Sequence, residues 1–291
     1  MQELIFTCGL PASGKSTWAR AMEERKGYYW LSSDNIRKAT KVNNDQVFRT
    51  MNETAVRKLK EGVNVIYDAT NLWCRYRMSA LEYIRSKMPT VFCSIELFAI
   101  PYEIVKERNS KRKGIERVPD EIMEKFIRAF QLPQFFEGWD NIHVNEASVP
   151  QLFHVSSMKG FNQDNPHHTL SLDEHISRTA AISNELGFST LIWQAAAFHD
   201  IGKIYTKEID NNGIAHYYGH ENVSAYLFLL HVYKNIYTFY YSEWADILFL
   251  INYHMRPYQW TDKSYQKDLK LFGENRIRML KQLHLCDESA H

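Results

Sequence analysis

The chain has almost no net charge, little cysteine and no long uninterrupted hydrophobic run. Across 291 residues the formal charge is only +1. No global field therefore advertises a polyanionic partner, and a nucleic acid would have to be held by a local cluster of cations. The four cysteines (Cys8, Cys74, Cys93, Cys286) form no CxxC pair and no regular framework. That excludes a disulfide-stapled scaffold and suits a reducing, cytoplasmic setting. The opening MQELIFTCGLP lacks the cationic start of a signal peptide. The most apolar stretch, AYLFLLHVYKNIYTFYY, is broken by His231 and Lys234, so no membrane span is expected. Internal repeats and low-complexity tracts are absent as well. What is present, 45% hydrophobic and 24% charged residues, is the composition of a globular chain long enough for one large domain or two ordinary ones.

The two halves are patterned differently. Up to about residue 145, strand-like and helix-like segments alternate. ELIFTCG, VNVIYDAT, TVFCSIELFAI and NIHVN read as strands, and STWARAMEER reads as a helix after a glycine-rich loop. DQVFRTMNETAVRKLKEG sets Val47, Met51, Ala55 and Leu59 on one helical stripe, with Gly62 as its stop. PYEIVKERNSKRK and PDEIMEKFIRAF each begin with the proline that a first helical turn tolerates. Such alternation implies a parallel sheet with helices on both faces. From about Ser171 the pattern is all helical. SLDEHISRTAAISNELG opens on a capping-box spacing, Ser171 to Glu174, and stops at Gly187; apolar-striped helices follow. The intervening residues, 146–169, hold two of the eight prolines, and the expected domains are 1–148 and 149–291.

Two short motifs carry chemistry. GLPASGKST matches G-x-x-x-x-G-K-[ST] at Gly9, Gly14, Lys15 and Ser16, and includes Ser13 and Thr17. Glycines let backbone N–H groups converge on phosphate oxygens at a helix N-terminus; the lysine reaches the β- and γ-phosphates and the serine ligates Mg²⁺. ATP with Mg²⁺ is thus the expected cofactor pair. Asp34 and Arg37 in SSDNIRK share one helix face. Asp34 is either a general base for an acceptor hydroxyl or a helix cap. Asp68, at the mouth of a strand, either contacts the acceptor or caps a turn. The most basic segment, KERNSKRKGIERVP, contains Arg108 and Arg112; it is either solvated surface or a hinged lid that closes over the phosphates.

The order GLPASGKSTWAR, SSDNIRK, DATNL, VKERNSKRKGIERVP resembles the phage-type 5′-hydroxyl polynucleotide kinases over roughly residues 1–135. The resemblance implies that Lys15 and Ser16 serve ATP and Mg²⁺, that Asp34 is the general base and that Arg37 contacts a 3′-phosphate on the acceptor. It also implies that Arg112 is the lid arginine, and that Asp68, Asn71 and Arg77 hold the acceptor strand. One departure is DATNL, where the family form is the shorter DTNL.

The second motif is FHDIGK, with His199 and Asp200. Adjacent residues in mid-helix point about 100° apart, but at a helix end before Gly202 they can be brought together. His175 and Asp287 supply further donors from other helices. The order His175, His199-Asp200, Asp287 resembles the HD phosphohydrolase family over roughly residues 165–291, and His220 and His254 stand where its dinuclear members draw second-metal ligands, with Asp200 bridging. Imidazole and carboxylate ligands suit Mn, Fe, Co or Ni better than closed structural zinc, so one or two such ions are expected. Lys203 could offset charge on a phosphate, with Arg178 a weaker candidate; His167, His168, His216 and His231 are spare histidines, His231 being expected in the core. The expected fold is an α/β P-loop kinase domain followed by an all-α HD domain. Both could act on one broken strand, RNA or DNA: phosphorylating a 5′-OH and clearing a 3′-phosphate or 2′,3′-cyclic phosphate. The rival readings are a small-molecule kinase fused to a nucleotide hydrolase, and an ATP-gated sensor with a non-catalytic HD half.

Overall fold

β1 (Glu3–Cys8) is the central strand of a five-stranded parallel sheet, with every residue from Leu4 to Cys8 buried. The computed structural model describes residues 2–40, 42–145, 155–166, 169–235 and 240–290. After β1 the chain runs α1 (Lys15–Lys26), β2 (Tyr29–Ser32), α2 (Ser33–Thr40), α3 (Asn44–Lys60), β3 (Val65–Asp68), α4 (Cys74–Lys87), β4 (Phe92–Leu97), α5 (Tyr102–Ser110), α6 (Asp120–Arg128) and β5 (Asn141–Val144). The strand order is β2-β3-β1-β4-β5. β1 therefore lies between β3, in register Leu4 to Val65, and β4, in register Leu4 to Cys93. Parallel strands need crossovers, and α1 to α6 supply them. The stripe on α3 is buried as its spacing demands: Val47, Met51, Ala55 and Leu59 all lie in the core. Four-residue β2, YWLS, is the strand absent from the sequence reading; it is too short to show a periodicity.

The second region is helical: α7 (Leu172–Glu185), α8 (Thr190–Phe198), α9 (Lys203–Thr206), α10 (His220–Asn235), α11 (Tyr241–Tyr253), α12 (Asp262–Phe272) and α13 (Glu274–Glu288). A two-stranded antiparallel ribbon, β6 (Glu208–Ile209) and β7 (Ala215–His216), joins α9 to α10. The Ser171–Glu174 capping box is formed, and Gly187 ends α7 with φ 67°. Of the aromatic run Tyr237–Trp244, Tyr241 is buried and Tyr240 exposed, while residues 237–239 lie outside the described residues.

The chain divides into two compact units, Met1–Phe126 with Pro133–Val149, and Ile127–Leu132 with Pro150–His291. The expected boundary at 148 falls outside the described residues, and the helical unit also takes a strap from far upstream. Within that unit the strap is held by its backbone. Asn222 donates to the Arg128 carbonyl (2.6 Å), the Leu132 N–H donates to Asn252 Oδ1 (2.8 Å), and Asn252 donates to Asn222 (2.7 Å). Phe130 packs on Tyr226, ring centroids 5.1 Å apart. Gly219 is required here: a Cβ would lie 2.5 Å from the Arg128 carbonyl oxygen.

Candidate functional site

The phosphate loop joins β1 to α1 and is shaped by backbone. Gly9 (φ 155°) donates to the Thr70 carbonyl, and a Cβ there would come within 2.9 Å of the Phe98 oxygen; Ala12 and Gly14 take positive φ. Lys15 is buried and donates to the Leu10 carbonyl (2.7 Å) and to Ser13 Oγ (3.3 Å). Burial pushes its pKa down to about 8, Asp68 opposing that shift and Arg112 adding to it. A cleft of about 590 Å³ is lined by Ser13, Gly14, Thr17, Trp18, Arg108 and Arg112 among others. The basic segment therefore reaches the loop with two arginines. Asn109 pins its ends, accepting from the Val118 N–H (3.1 Å) and donating to the Val118 carbonyl (2.7 Å).

Asp68 ends β3 beside this loop. Its carboxylate accepts from Ser16 Oγ, Thr7 Oγ1 and Trp30 Nε1, each at 2.9 Å. Its carboxylate is thus buried and bonded to the serine of the loop, not turned out toward an acceptor. Asn71 is also committed internally: it donates to the Thr7 carbonyl (2.7 Å) in a loop where its own φ is 48°. Arg77 is a clearer correction. It is fully buried, with Nε 2.7 Å and Nη2 2.5 Å from the two Glu137 oxygens, and Nη1 donates to the Asn71 carbonyl (2.8 Å). A guanidinium with this forked, desolvated pairing cannot grip an acceptor strand. Asp34, in the first turn of α2, is largely exposed and is held by Arg37 at 2.8 Å.

The helical unit gathers its chemistry at the ends of five helical elements. His175 is on α7, His199 and Asp200 follow α8, His220 opens α10, His254 follows α11 and Asp287 is on α13. All six are buried. One group comprises His175, His199 and Asp287, the other Asp200, His220 and His254, the donor atoms in each lying within 4.8 Å of one another. Asp287 Oδ1 is 3.0 Å from His175 Nε2 and 3.3 Å from His199 Nε2. Asp200 serves both groups: Oδ2 is 3.5 and 3.4 Å from His175 and His199, and Oδ1 is 3.1 and 3.5 Å from His220 and His254. Gly202 allows this, because a Cβ there would sit 2.4 Å from the His220 carbonyl.

The ring orientations test whether a cation fits. Nδ1 of His199, His220 and His254 lies 2.8, 2.7 and 2.8 Å from the carbonyls of Ala196, Tyr217 and Ile251. A carbonyl only accepts, so each neutral ring carries its proton on Nδ1 and turns the Nε2 lone pair inward. His220 and His254 then face each other Nε2 to Nε2 at 3.1 Å, lone pair against lone pair. A divalent ion relieves that opposition and neutralises the carboxylates, and backbone-anchored imidazoles are the usual support of metal ligands. With protons alone, burial favours neutral His199, but Asp200 and Asp287 outweigh it and push its pKa up to about 10. Burial lowers His254. Both carboxyls are held well below the ordinary range against the cost of burial, by His199 chiefly and, at Asp200, by Lys203. Lys203 is buried, 2.7 Å from Asp200 Oδ2 and 2.9 Å from Gln163 Oε1.

Sequence reasoning missed Gln163, which orients Lys203, and Tyr258, which donates to Asp287 Oδ2 (2.9 Å). Neither belongs to a motif. The structure keeps Arg178 on the surface, paired with Glu185 (3.0 Å), and His216 with Asp210 (3.2 Å). His231 is half-buried against Phe198 rather than in the cluster. His167 and His168 lie outside the described residues.

Comparison with known proteins matches two separate stretches of the chain. Residues 4–133 match the family model described as an AAA domain, and residues 172–289 match the HD domain. An L-seryl-tRNA(Sec) kinase of Methanococcus maripaludis is 23% identical over 193 residues, 63% of this chain and 74% of the relative. Among solved structures, a sugar kinase of Janibacter is 20% identical with a TM-score of 0.40, over 52% of this chain and 87% of that one. A fungal RNA kinase is 17% identical with a TM-score of 0.41, over 54% and 80%. No helix among the described residues is long and apolar enough to cross a membrane. The chain joins a P-loop kinase-like domain, which implies ATP and Mg²⁺, to a helical HD domain whose histidines and aspartates can hold divalent metal.

Proposed function

We propose that the protein is a bifunctional end-healing enzyme for nucleic acid, RNA in the first instance, that phosphorylates 5′-OH ends and removes 2′,3′-cyclic or terminal phosphate from the opposite ends. The observation that carries this reading is the pairing, in one chain, of a phosphate loop approached by Arg108 and Arg112 with a buried two-group metal cluster. In the kinase half, Lys15 holds the β- and γ-phosphates and Ser16, oriented by Asp68, ligates Mg²⁺. Asp34 takes the proton of the acceptor hydroxyl as its oxygen bonds to the γ-phosphorus and ADP departs, while Arg37 fixes both Asp34 and the acceptor phosphate. Arg112 and Arg108 neutralise charge on the transferring group. In the HD half, His175, His199, Asp287, Asp200, His220 and His254 hold one or two ions of Mn, Fe, Co or Ni. A bound ion supplies a water acidified from 15.7 toward about 7 and a contact for phosphate oxygens. Lys203, buried beside Asp200, offsets the charge of the phosphate.

A nucleic-acid acceptor is supported by the Arg-rich lid and by the kinase relative, whose own name places its substrate on a tRNA. The deciding experiment presents the purified, Mn²⁺-loaded protein with ATP, Mg²⁺ and an RNA bearing a 5′-OH and a 2′,3′-cyclic phosphate. Mononucleosides and sugars serve as competing acceptors. Both RNA ends are expected to change. Lys15→Ala is expected to remove 5′ phosphorylation alone and His199→Ala 3′ healing alone. Phosphate transfer to sugars but not to RNA would overturn the proposal.

A further inference from the structure

Asp287 uses its two oxygens differently. Oδ1 faces His175 and His199, whereas Oδ2 accepts the hydroxyl of Tyr258 at 2.9 Å. Tyr258 lies in the short turn Pro257–Gln259, four residues after His254. Its ring stands edge-on to His284, centroids 4.4 Å apart, and His284 lies one turn before Asp287 on α13. One side chain thus grips two neighbours on the helix that brings the last carboxylate. It also ties the segment carrying a ligand of one group to a ligand of the other. The ring is 42% exposed, so the contact is not explained by a need to fill the core.

We propose that Tyr258 is a positioning residue for a divalent ion in the His175, His199 and Asp287 group, pinning one Asp287 oxygen so that only the other is offered to the ion. The proposal rests on the reading of the cluster as a metal site. A carboxylate without this hydrogen bond is free to rotate, to present both oxygens, or to turn from the imidazoles. Loss of such an outer partner lowers metal affinity about 10–100-fold. Among the described residues the hydrogen bond of the Tyr258 hydroxyl goes to Asp287, a donor of the first group, so the two groups are expected to respond unequally.

The test uses the full chain, stripped with chelator and titrated with Mn²⁺ while free Mn²⁺ is read by its paramagnetic resonance. Wild type is expected to take up two ions. Tyr258→Phe, which keeps the ring on His284, is expected to retain one ion at unchanged affinity and to bind the other about 10–100-fold more weakly. The metal-free melting temperature of Tyr258→Phe is expected to match that of wild type, which a merely structural role would not allow. In a His220→Ala background the phenylalanine should still weaken the remaining ion; in a His175→Ala background it should change nothing. Wild-type affinities within twofold in Tyr258→Phe, or equal weakening of both ions, would overturn the assignment. A wild-type protein that takes up no Mn²⁺ would overturn the metal reading itself, a different result from two ions bound indifferently to the tyrosine.

Discussion

Each unit buries a constellation of opposite charges, and the two are finished differently. In the sheet unit, Arg77 and Glu137 form a closed pair. The guanidinium spends its donors on Glu137 and the Asn71 carbonyl, and Glu137 also accepts from Gln134 N–H (3.0 Å) and Trp139 Nε1 (3.0 Å). In the helical unit, four imidazoles and two carboxylates converge, anchored by backbone carbonyls at three of the rings and by Tyr258 and Lys203 at the acids, so that the Nε2 atoms of His220 and His254 meet acceptor to acceptor. Donors matched to acceptors make a fastener. Lone pairs converging on one point make a receptor for a cation. Burial of charge does not separate the two; the direction of the protons does.

That contrast can be broken in several ways. Asp200 lends an oxygen to each metal group, so Asp200→Asn is expected to lower affinity for both ions at least ~100-fold and to abolish hydrolysis with 5′ phosphorylation intact. Metal analysis after dialysis checks it; two ions retained would make the cluster another fastener. Arg77→Ala strands a buried carboxylate and is expected to cost about 3–5 kcal/mol in a denaturant titration. The same titration should not respond to chelator through this pair. An Arg77→Met, Glu137→Leu double variant is expected to recover most of the loss, whereas an Arg77→Ala protein of normal stability with a raised acceptor KM would mean the pair is functional after all.

The smallest expected effect concerns pH. Burial pushes the Lys15 amine down to about 8 in the folded chain against 10.5 ordinarily. Between those values the unfolded chain binds more protons, so this group makes stability rise with pH across that window. ATP phosphates favour the protonated amine. Above about pH 8, ATP binding is therefore expected to take up a proton and to weaken by up to ~tenfold per pH unit. Calorimetry in buffers of different ionisation enthalpy measures the uptake, and Lys15→Arg, which stays charged, is expected to flatten the slope.

The phosphate loop was legible because its function is local: one turn between a strand and a helix, written in nine consecutive letters from Gly9 to Thr17. The clustered histidines and aspartates, scattered from His175 to Asp287, were legible only through the HD pattern, since no periodicity says that the ends of α7, α8, α10, α11 and α13 converge. Arg77 shows the opposite failure. An arginine just past DATNL reads as an acceptor contact, and its partner Glu137 is sixty residues away in sequence. Asp68 stands out in the sequence at a strand end, but its bond from Ser16 does not, because that bond depends on β1 and β3 lying side by side. Tyr258 and Gln163 leave no trace in sequence; they act through a single hydrogen bond each at a place fixed by folding.

The strap Ile127–Leu132 bears on how such a gene can be divided. Its backbone occupies Asn222 and Asn252, each two residues from a histidine of the cluster, so a fragment begun at residue 149 would start without an internal part of its own scaffold. Recombination or cloning at the visible seam is expected to leave the HD half incomplete. Any excision that keeps it whole must carry the tail of a helix that the other half begins.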